Sequence, residues 1–271
     1  MMNDKSNPAR PPDTWASGVS YEPFVGRWSR LAAREFLTWL DVASKSRWLD
    51  VGCGTGALSQ TILHMAAPSR LKGIDRSSGF IAHTRAQIKD ERVTFEVGDA
   101  QQLTDESEAY DAVVSGLVLN FIPQPELALG EMARVAKPGG RVAAYVWDYA
   151  GKMQLLRHFW NAAAALDPQA ADLDEGRRFP LCQPQPLVEL FQSAGLKNVE
   201  VRSIDISTDF KDFDDYWSPF LGGQGPAPSY TLSLSEERRA ALRERLHAGL
   251  PIAIDGSIPL VARTWAVRGV R

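Results

Sequence analysis

The sequence predicts a doubly wound α/β fold, in which a mostly parallel sheet carries helices on both of its faces. From residue 47 onward, short apolar runs alternate with amphipathic segments of helical length, and this alternation is typical of parallel strands joined by right-handed crossovers. The first run ends in a glycine-rich turn at 52–56 and leads directly into a helical segment. That arrangement places backbone amides and a helix N-terminus beside a nucleotide-like ligand.

The individual elements follow from hydrophobic periodicity and from breaker residues. A helix over 28–40 has its apolar side chains largely on one face. Strands are predicted at 47–51, 71–75, 93–97, 111–115, 141–147, 199–206 and 259–267, and further helices at 56–67, 79–89, 125–136, 153–166, 186–194 and 235–247. The Lys-Pro-Gly-Gly run at 137–140 is expected to stop the helix before it.

The chain is interpreted as one domain, 21–271, preceded by a disordered tail, 1–20, that is polar and rich in proline. Two irregular segments, at about 150–181 and 210–256, are interpreted as insertions that form a cap and substrate region at the ligand end of the sheet. An apolar insertion suits a homodimer interface as well as a lid, so both hypotheses stay open.

Composition excludes several classes of protein. The 271 residues are 44% apolar and carry a net charge of −3, which does not give the basic surface of a nucleic-acid-binding protein. The two cysteines, Cys53 and Cys182, form neither a disulfide framework nor a zinc site, so no metal is predicted and a reducing cytoplasm is expected. No run of eighteen apolar residues is present, so no membrane span is expected.

Acidic residues after the first strands indicate the kind of ligand. The spacing of Gly52, Gly54 and Ala57 also fits the dinucleotide fingerprint, and Asp75, at the end of the second strand, suits a ribose in several nucleotide-binding folds. Asp50, however, would repel a diphosphate and attract a ligand that carries an ammonium and a sulfonium. S-adenosylmethionine has both cations and no phosphate. Asp99, after the third strand, is suited to accept a hydrogen bond from an adenine amino group.

A set of motifs in register carries a resemblance to a known family. The matching stretches are 49–56, Asp75, 98–100, 110–113 and 131–140, and the lead-in at 21–34 is also similar. Together, over about 21–147, they resemble the class I S-adenosylmethionine-dependent methyltransferases, in their small-molecule type 11 branch. The resemblance implies a Rossmann-like sheet of seven strands, mostly parallel, with the last strand antiparallel.

The resemblance also implies S-adenosyl-L-methionine as cofactor and a set of residues that bind it. The three turn glycines would let the backbone approach the methionine part and the ribose, and Tyr21 and Trp28 would close over the methionine end. The implied cofactor-binding residues are Tyr21, Trp28, Asp50, Gly52, Gly54, Gly56, Asp75, Arg76, Asp99, Ala100, Gln101, Ser115, Gly116 and Leu117.

The predicted function is methyl transfer to a small-molecule acceptor by in-line displacement. The candidate substrate-pocket residues are Asn120, Phe121, Trp147, Tyr149, Trp160 and Trp217. Asp148, after the fifth strand, is the candidate general base, with a capping or loop role as the alternative. Two other functions stay open, an NAD-linked oxidoreductase and a non-catalytic protein that binds S-adenosylmethionine.

Overall fold

The protein is described by a computed structural model over residues 26–222 and 225–271. The predicted tail, 1–20, and the predicted cofactor residue Tyr21 lie outside the described residues. The strands are β1 (Arg47–Val51), β2 (Arg70–Asp75), β3 (Val93–Val97), β4 (Tyr110–Gly116), β5 (Ala136–Trp147), β6 (Lys197–Ser207) and β7 (Val261–Val270).

Ten α-helices of four residues or more lie in the described ranges. They are α1 (Arg27–Leu40), α2 (Ala57–Met65), α3 (Ser78–Gln87), α4 (Pro125–Val135), α5 (Gln154–Leu166), α6 (Glu175–Arg178), α7 (Pro184–Ser193), α8 (Phe213–Trp217), α9 (Pro226–Ser233) and α10 (Glu236–Gly249). Short 3₁₀ helices lie at Leu119–Phe121, Pro168–Leu173 and Ser218–Leu221. In these ranges, no helix is long and apolar enough to cross a membrane.

The seven strands form one sheet in the order β3-β2-β1-β4-β5-β7-β6. The strands β1 to β5 pair in parallel, and β7 runs antiparallel to both of its neighbours, β5 and β6. The predicted fold, a mostly parallel seven-stranded sheet with an antiparallel last strand, is therefore confirmed. The chain order reverses between β1 and β4, and the carboxyl ends of strands at such a switch point form a crevice.

The central strands are apolar along almost their whole length because helices cover both faces of the sheet. Trp48, Leu49, Val113 and Val142 are at most 1% exposed. Such strands cannot slip in register without exposing apolar side chains. The positions of their carboxyl ends are therefore fixed, and so are the residues that follow them.

The largest difference from the predicted boundaries is at the start of β5. The helix α4 ends at Val135, and β5 begins at once with Ala136 rather than at 141. Gly139, at φ +79°, donates its amide to the carbonyl oxygen of Arg271, so the Pro-Gly segment pairs with the end of the chain. Proline is tolerated there because it lies at the start of the strand.

The two predicted insertions pack against each other beside the carboxyl end of β5 and the amino end of β7. Phe159 of α5 stacks on Phe220 with ring centroids 4.5 Å apart, and Tyr216 of α8 lies 5.5 Å from the same ring. Tyr216 also donates its hydroxyl to the carbonyl of Leu155. These aromatic contacts form the core of the region called the cap below (150–181 with 210–256), and this cap core is continuous with the core of the sheet.

A buried carboxyl in the cap gives a stability prediction. Glu175 accepts a hydrogen bond from the Trp160 indole, and its burial raises its pKa to about 7. An acid whose folded pKa is raised costs stability as pH rises, because only the unfolded chain ionises freely between the two pKa values. Between about pH 5 and about pH 8, we expect the wild type to lose about 2–3 kcal/mol more free energy of unfolding than Glu175→Gln, by urea unfolding. Equal losses in the two proteins would contradict this.

Candidate active site

A pocket of about 510 Å³ opens at the carboxyl ends of β1 to β5, on both sides of the switch point. This volume lies in the range of pockets that hold drug-sized ligands. It is lined by Ser29, Asp50, Gly52, Cys53, Gly54, Thr55, Ala57, Leu58, Ile74, Asp75, Arg76, Ser77, Phe80, Gly98, Asp99, Ala100, Gly116, Leu117, Val118, Phe121, Ile122, Pro123, Tyr145, Trp147 and Tyr149.

The glycine turn lines the pocket from Gly52 to Thr55. Gly52, Gly54 and Gly56 all have positive φ angles, of 77°, 52° and 86°, a region that costs other residues strain. Their amides are already used inside the protein, since Gly52 donates to the carbonyl of Ile74, Gly54 to Asp75, and Gly56 to the carbonyl of Cys53. The turn is therefore rigid, and these three amides are not directed at a bound anion.

Asp75 connects the turn to the start of α3. One carboxylate oxygen accepts the Gly54 amide at 3.0 Å, and the other accepts the Ser77 amide at 2.8 Å. Burial raises the pKa of Asp75, partly offset by these hydrogen bonds. Each carboxylate oxygen has a further lone pair, so the group can still accept ribose hydroxyls.

Asp50 is the most deeply buried acid in the pocket wall, at 0% exposure. One carboxylate oxygen accepts the Ser59 hydroxyl at 2.7 Å, and the other has no hydrogen-bond partner among the described residues. Burial, with a smaller contribution from the charge of Asp75, raises the pKa of Asp50 to about 7. A buried carboxylate oxygen without a donor is costly, and a ligand that carries a donor or a positive charge would remove this cost.

Charge is distributed unevenly along the pocket. Asp50, Asp75 and Asp99 lie at or after the ends of β1, β2 and β3, whereas Trp147 and Tyr149 lie at or after the end of β5. Because the strand order is β3-β2-β1-β4-β5, the acids occupy one half of the pocket, and Trp147 and Tyr149 occupy the other. We call these the acidic half and the aromatic half.

The chain between the halves is closely packed. Leu117 has φ +63°, uncommon for a non-glycine residue, and its amide donates to the carbonyl of Tyr145 at 2.8 Å. A Cβ atom on Gly116 would lie 2.7 Å from the Tyr145 hydroxyl oxygen. The end of β4 therefore bends sharply around the side chain of Tyr145, and its backbone at Gly116 and Leu117 lines the pocket.

Most of the residues predicted for the cofactor line this pocket. They are Asp50, Gly52, Gly54, Asp75, Arg76, Asp99, Ala100, Gly116 and Leu117. Among the predicted substrate residues, Phe121, Trp147 and Tyr149 line it as well. The structure brings these twelve side chains and backbone segments together, while their binding roles stay predictions.

Four other predicted cofactor residues and Asn120 do not reach the pocket wall. Gly56 lies just before α2, where a Cβ atom would meet Thr84 and Ile88 at 2.8 Å, and Gln101 accepts the Gln124 amide at 3.0 Å. Ser115 is fully buried within β4. The Trp28 ring packs on Arg27 and on Phe210, with 5.7 Å between the ring centroids. Asn120 lies in the 3₁₀ helix after β4, and both of its buried amide atoms have no hydrogen-bond partner among the described residues.

Two tryptophans predicted for the substrate pocket belong to the cap core instead. Trp160 lies 5.0 Å from Phe159 and donates to Glu175, and Trp217 lies 6.2 Å from Phe220. Large aromatic side chains suit a protein core and a ligand pocket equally well, so their sequence positions did not distinguish the two. The cap reaches the pocket wall from behind through Phe179, which lies 5.0 Å from Phe121 and 5.8 Å from Tyr149.

The carboxylate of the candidate general base, Asp148, stabilises a local turn. Its two carboxylate oxygens accept the amides of Gly151 and Lys152, both at 3.0 Å. It is 4% exposed and is not among the pocket-lining residues. This geometry favours the alternative interpretation of Asp148 as a capping residue.

Sequence reasoning missed several residues of the pocket wall. Ser29 comes from α1, Phe80 from α3, and Tyr145 from the interior of β5. Ser29 lies in the similar lead-in at 21–34 but had no predicted role, and Phe80 and Tyr145 stand in no motif. Their positions in the pocket depend on how the helices pack onto the sheet. The one signal in the sequence was that Tyr145 lies two residues before the carboxyl end of β5, at the edge of the sheet where the ligand binds.

Known proteins resemble this chain in both sequence and fold. A family model described as a methyltransferase domain matches residues 49–144. A demethylmenaquinone methyltransferase of Bacillus cytotoxicus is 34% identical over 113 residues, which is 40% of this chain and 48% of that relative. The enzyme of that name from Bacillus subtilis is 28% identical over 188 residues, covering 60% of this chain and 76% of the relative.

A solved structure shows the same fold. The phosphoethanolamine N-methyltransferase 2 of Haemonchus contortus, in complex with S-adenosyl-L-methionine, superposes with a TM-score of 0.58 at 18% identity, covering 93% of this chain and 56% of that one. Taken together, the sequence matches and the shared fold support a class I S-adenosylmethionine-dependent methyltransferase with S-adenosyl-L-methionine as its cofactor.

Proposed function

We propose that this protein transfers a methyl group from S-adenosyl-L-methionine to a small-molecule acceptor. The observation that carries the proposal is Asp50, a fully buried carboxylate in the pocket wall with one oxygen that has no partner among the described residues. A cationic ligand that brings an ammonium donor fits this site. The relatives named for demethylmenaquinone act, by their names, on a small molecule.

Each of the three acids in the acidic half has a distinct binding role in this proposal. Asp50 holds the ammonium of the methionine part, Asp75 accepts the ribose hydroxyls, and Asp99 accepts the adenine amino group. The cofactor supplies a methyl group that is already activated by its positive sulfur. Gly116 and Leu117 border the point where the acidic and aromatic halves meet, so an acceptor in the aromatic half faces that methyl group.

The main contribution of the protein's residues is to position the two reactants and to exclude water from the pocket. Among the described residues that line the aromatic half, none carries a carboxylate or an imidazole. Holding two reactants in line and excluding water can lower a barrier by several kcal/mol without proton transfer. The rigid glycine turn and the sharply bent end of β4 fix this alignment.

The dinucleotide alternative is disfavoured by the same geometry. A diphosphate would lie near three acids, Asp50, Asp75 and Asp99, and the amides of Gly52, Gly54 and Gly56 already donate within the protein. Dinucleotide sites instead direct free amides of this turn and helix at the phosphates.

Calorimetry separates the candidate functions. We expect S-adenosylmethionine and S-adenosylhomocysteine to bind the folded protein at micromolar concentration, and NADH to cause no change in a fluorescence titration. No binding of either adenosyl compound at millimolar concentration would overturn the proposal. If both bind tightly and a broad acceptor screen yields no S-adenosylhomocysteine, the non-catalytic alternative holds.

A further inference from the structure

The aromatic half of the pocket carries information about the acceptor. Phe121, Trp147 and Tyr149 form its wall together with the apolar side chains of Ile122 and Pro123. Phe179, which is not a lining residue, packs edge-on to Phe121 and tilted against Tyr149. A wall built of rings in fixed contact favours a flat ligand that can pack against ring faces and edges.

Charge restricts the acceptor further. In the described part of the chain, Arg76 is the one cationic residue that lines the pocket, and it follows Asp75 on the side of β2. A phosphate or a carboxylate in the aromatic half would therefore lose its hydration without gaining a cation. An ammonium would find no carboxylate there either, since the three lining acids belong to the acidic half.

From these observations, and resting on the function proposed above, we infer that the acceptor is an uncharged, flat aromatic compound with an acidic hydroxyl. This distinguishes it from the phosphorylated base named for the structural neighbour of Haemonchus contortus.

The acidic hydroxyl of the acceptor is inferred because the wall of the aromatic half offers no base to remove a proton. The wall of the aromatic half offers tyrosine hydroxyls but neither carboxylate nor imidazole among the described residues. A lone pair of the hydroxyl oxygen forms the bond to the methyl carbon, while the methyl–sulfur bond breaks and its electron pair goes to sulfur. As positive charge develops on the oxygen, the acidic hydroxyl proton leaves to water, so no free anion stands in the aromatic half. A neutral methylated product and a neutral thioether result.

A matched series of ring compounds tests the inference on protein saturated with S-adenosylhomocysteine. The probes 2-naphthol, 2-naphthoate and 2-naphthylmethylamine share one ring system and differ in charge. We expect calorimetry to show 2-naphthol binding at least tenfold more tightly than either charged compound. We also expect methyl transfer from S-adenosylmethionine to 2-naphthol alone among the three.

Two variants localise the binding. Phe121→Leu should weaken 2-naphthol binding about fivefold, because it removes a ring from the wall. Phe95→Leu makes the same change on β3, where Phe95 packs with Cys53 and Ile81 away from the aromatic half, and should leave the 2-naphthol affinity unchanged. An equal loss in both variants would remove Phe121 from the acceptor site.

Failure of the inference can be told apart from failure of the proposed function. If S-adenosylhomocysteine binds but 2-naphthol does not, or if a charged probe binds as tightly as 2-naphthol, the inference is overturned and the methyltransferase proposal stands. If S-adenosylhomocysteine itself does not bind, the proposed function fails first.

Discussion

Replacing Gly52 by alanine should lower the free energy of unfolding and nearly abolish cofactor binding. Gly52 has φ +77°, and a Cβ atom there would lie 2.5 Å from Cγ1 of Val118 and 2.9 Å from its Cβ and Cγ2. Overpacking costs about 1–3 kcal/mol, and the left-handed backbone adds about 1–2 kcal/mol for a non-glycine residue. We therefore expect a loss of about 2–5 kcal/mol in the free energy of unfolding, measured with urea on the unliganded protein.

Gly54→Ala is the matched control for this loss. Gly54 lies in the same turn with φ +52°, but a Cβ atom there meets no other atom within 4 Å. Only the backbone strain remains, so the loss of stability should be about 1–2 kcal/mol. Adding Val118→Ala to Gly52→Ala removes Cγ1 and Cγ2 but keeps Cβ at 2.9 Å, so it should restore part of the lost stability. If the two glycine variants are equally stable, the contact with Val118 is not what requires a glycine.

The crowding of Gly52 against Val118 shows why part of the site was predictable from sequence. Gly52 follows β1 and Val118 follows β4, and these strands pair in parallel. Apolar runs that end in short polar or glycine segments locate strand ends well. Once a parallel sheet is inferred, all those ends must meet at one edge, which places Asp50 and Asp75 together without any knowledge of packing.

Residues on helices and in the cap were less predictable for a physical reason. The face that a helix presents to the pocket depends on its packing angle, and a single serine such as Ser29 leaves no trace in the hydrophobic pattern. Trp160 and Trp217 were placed in the pocket although the cap core buries them, because an aromatic residue satisfies either environment. Asp148 follows a strand at the ligand edge, yet its carboxylate accepts hydrogen bonds from nearby backbone amides.

Helix and strand boundaries were predicted well where chemistry at the ends is strong. The Ser77 hydroxyl accepts the Phe80 amide at the start of α3, one residue from the predicted start, as expected of an N-cap serine. The start of β5 was misplaced because Pro138 and Gly139 signal a turn, while the pairing of Gly139 with Arg271 extends the strand through them. A local sequence pattern does not reveal long-range pairing of this kind.

Asp50→Asn should weaken S-adenosylmethionine binding by about 2–3 kcal/mol, since a charged hydrogen bond is replaced by a neutral one. Asparagine has nearly the same shape and can still accept the Ser59 hydroxyl. Calorimetry at about pH 7.5 measures the loss.

A shortened ligand shows which part of the cofactor Asp50 contacts. The compound 5′-methylthioadenosine keeps the adenosine but lacks the amino-acid part, so its affinity should be the same for the wild type and Asp50→Asn. Asp75→Ala should instead weaken both ligands by about 1–3 kcal/mol, because both retain the ribose. A loss of 5′-methylthioadenosine binding in Asp50→Asn as large as the loss for S-adenosylmethionine would remove Asp50 from the ammonium site.

The pH dependence of Asp50 has opposite signs for binding and for stability. Burial raises its pKa to about 7, so cofactor affinity should fall as the pH drops from about 7.5 to about 6 and the carboxylate takes up a proton, and Asp50→Asn should lack this fall. Without cofactor, the ionised carboxylate costs stability as pH rises between its unfolded and folded pKa values. Unliganded Asp50→Asn should therefore be more stable than the wild type at about pH 8, while it binds cofactor more weakly. A purely structural aspartate would lose stability on substitution, so the combination of higher stability and lower affinity identifies a carboxylate that is kept for its ligand.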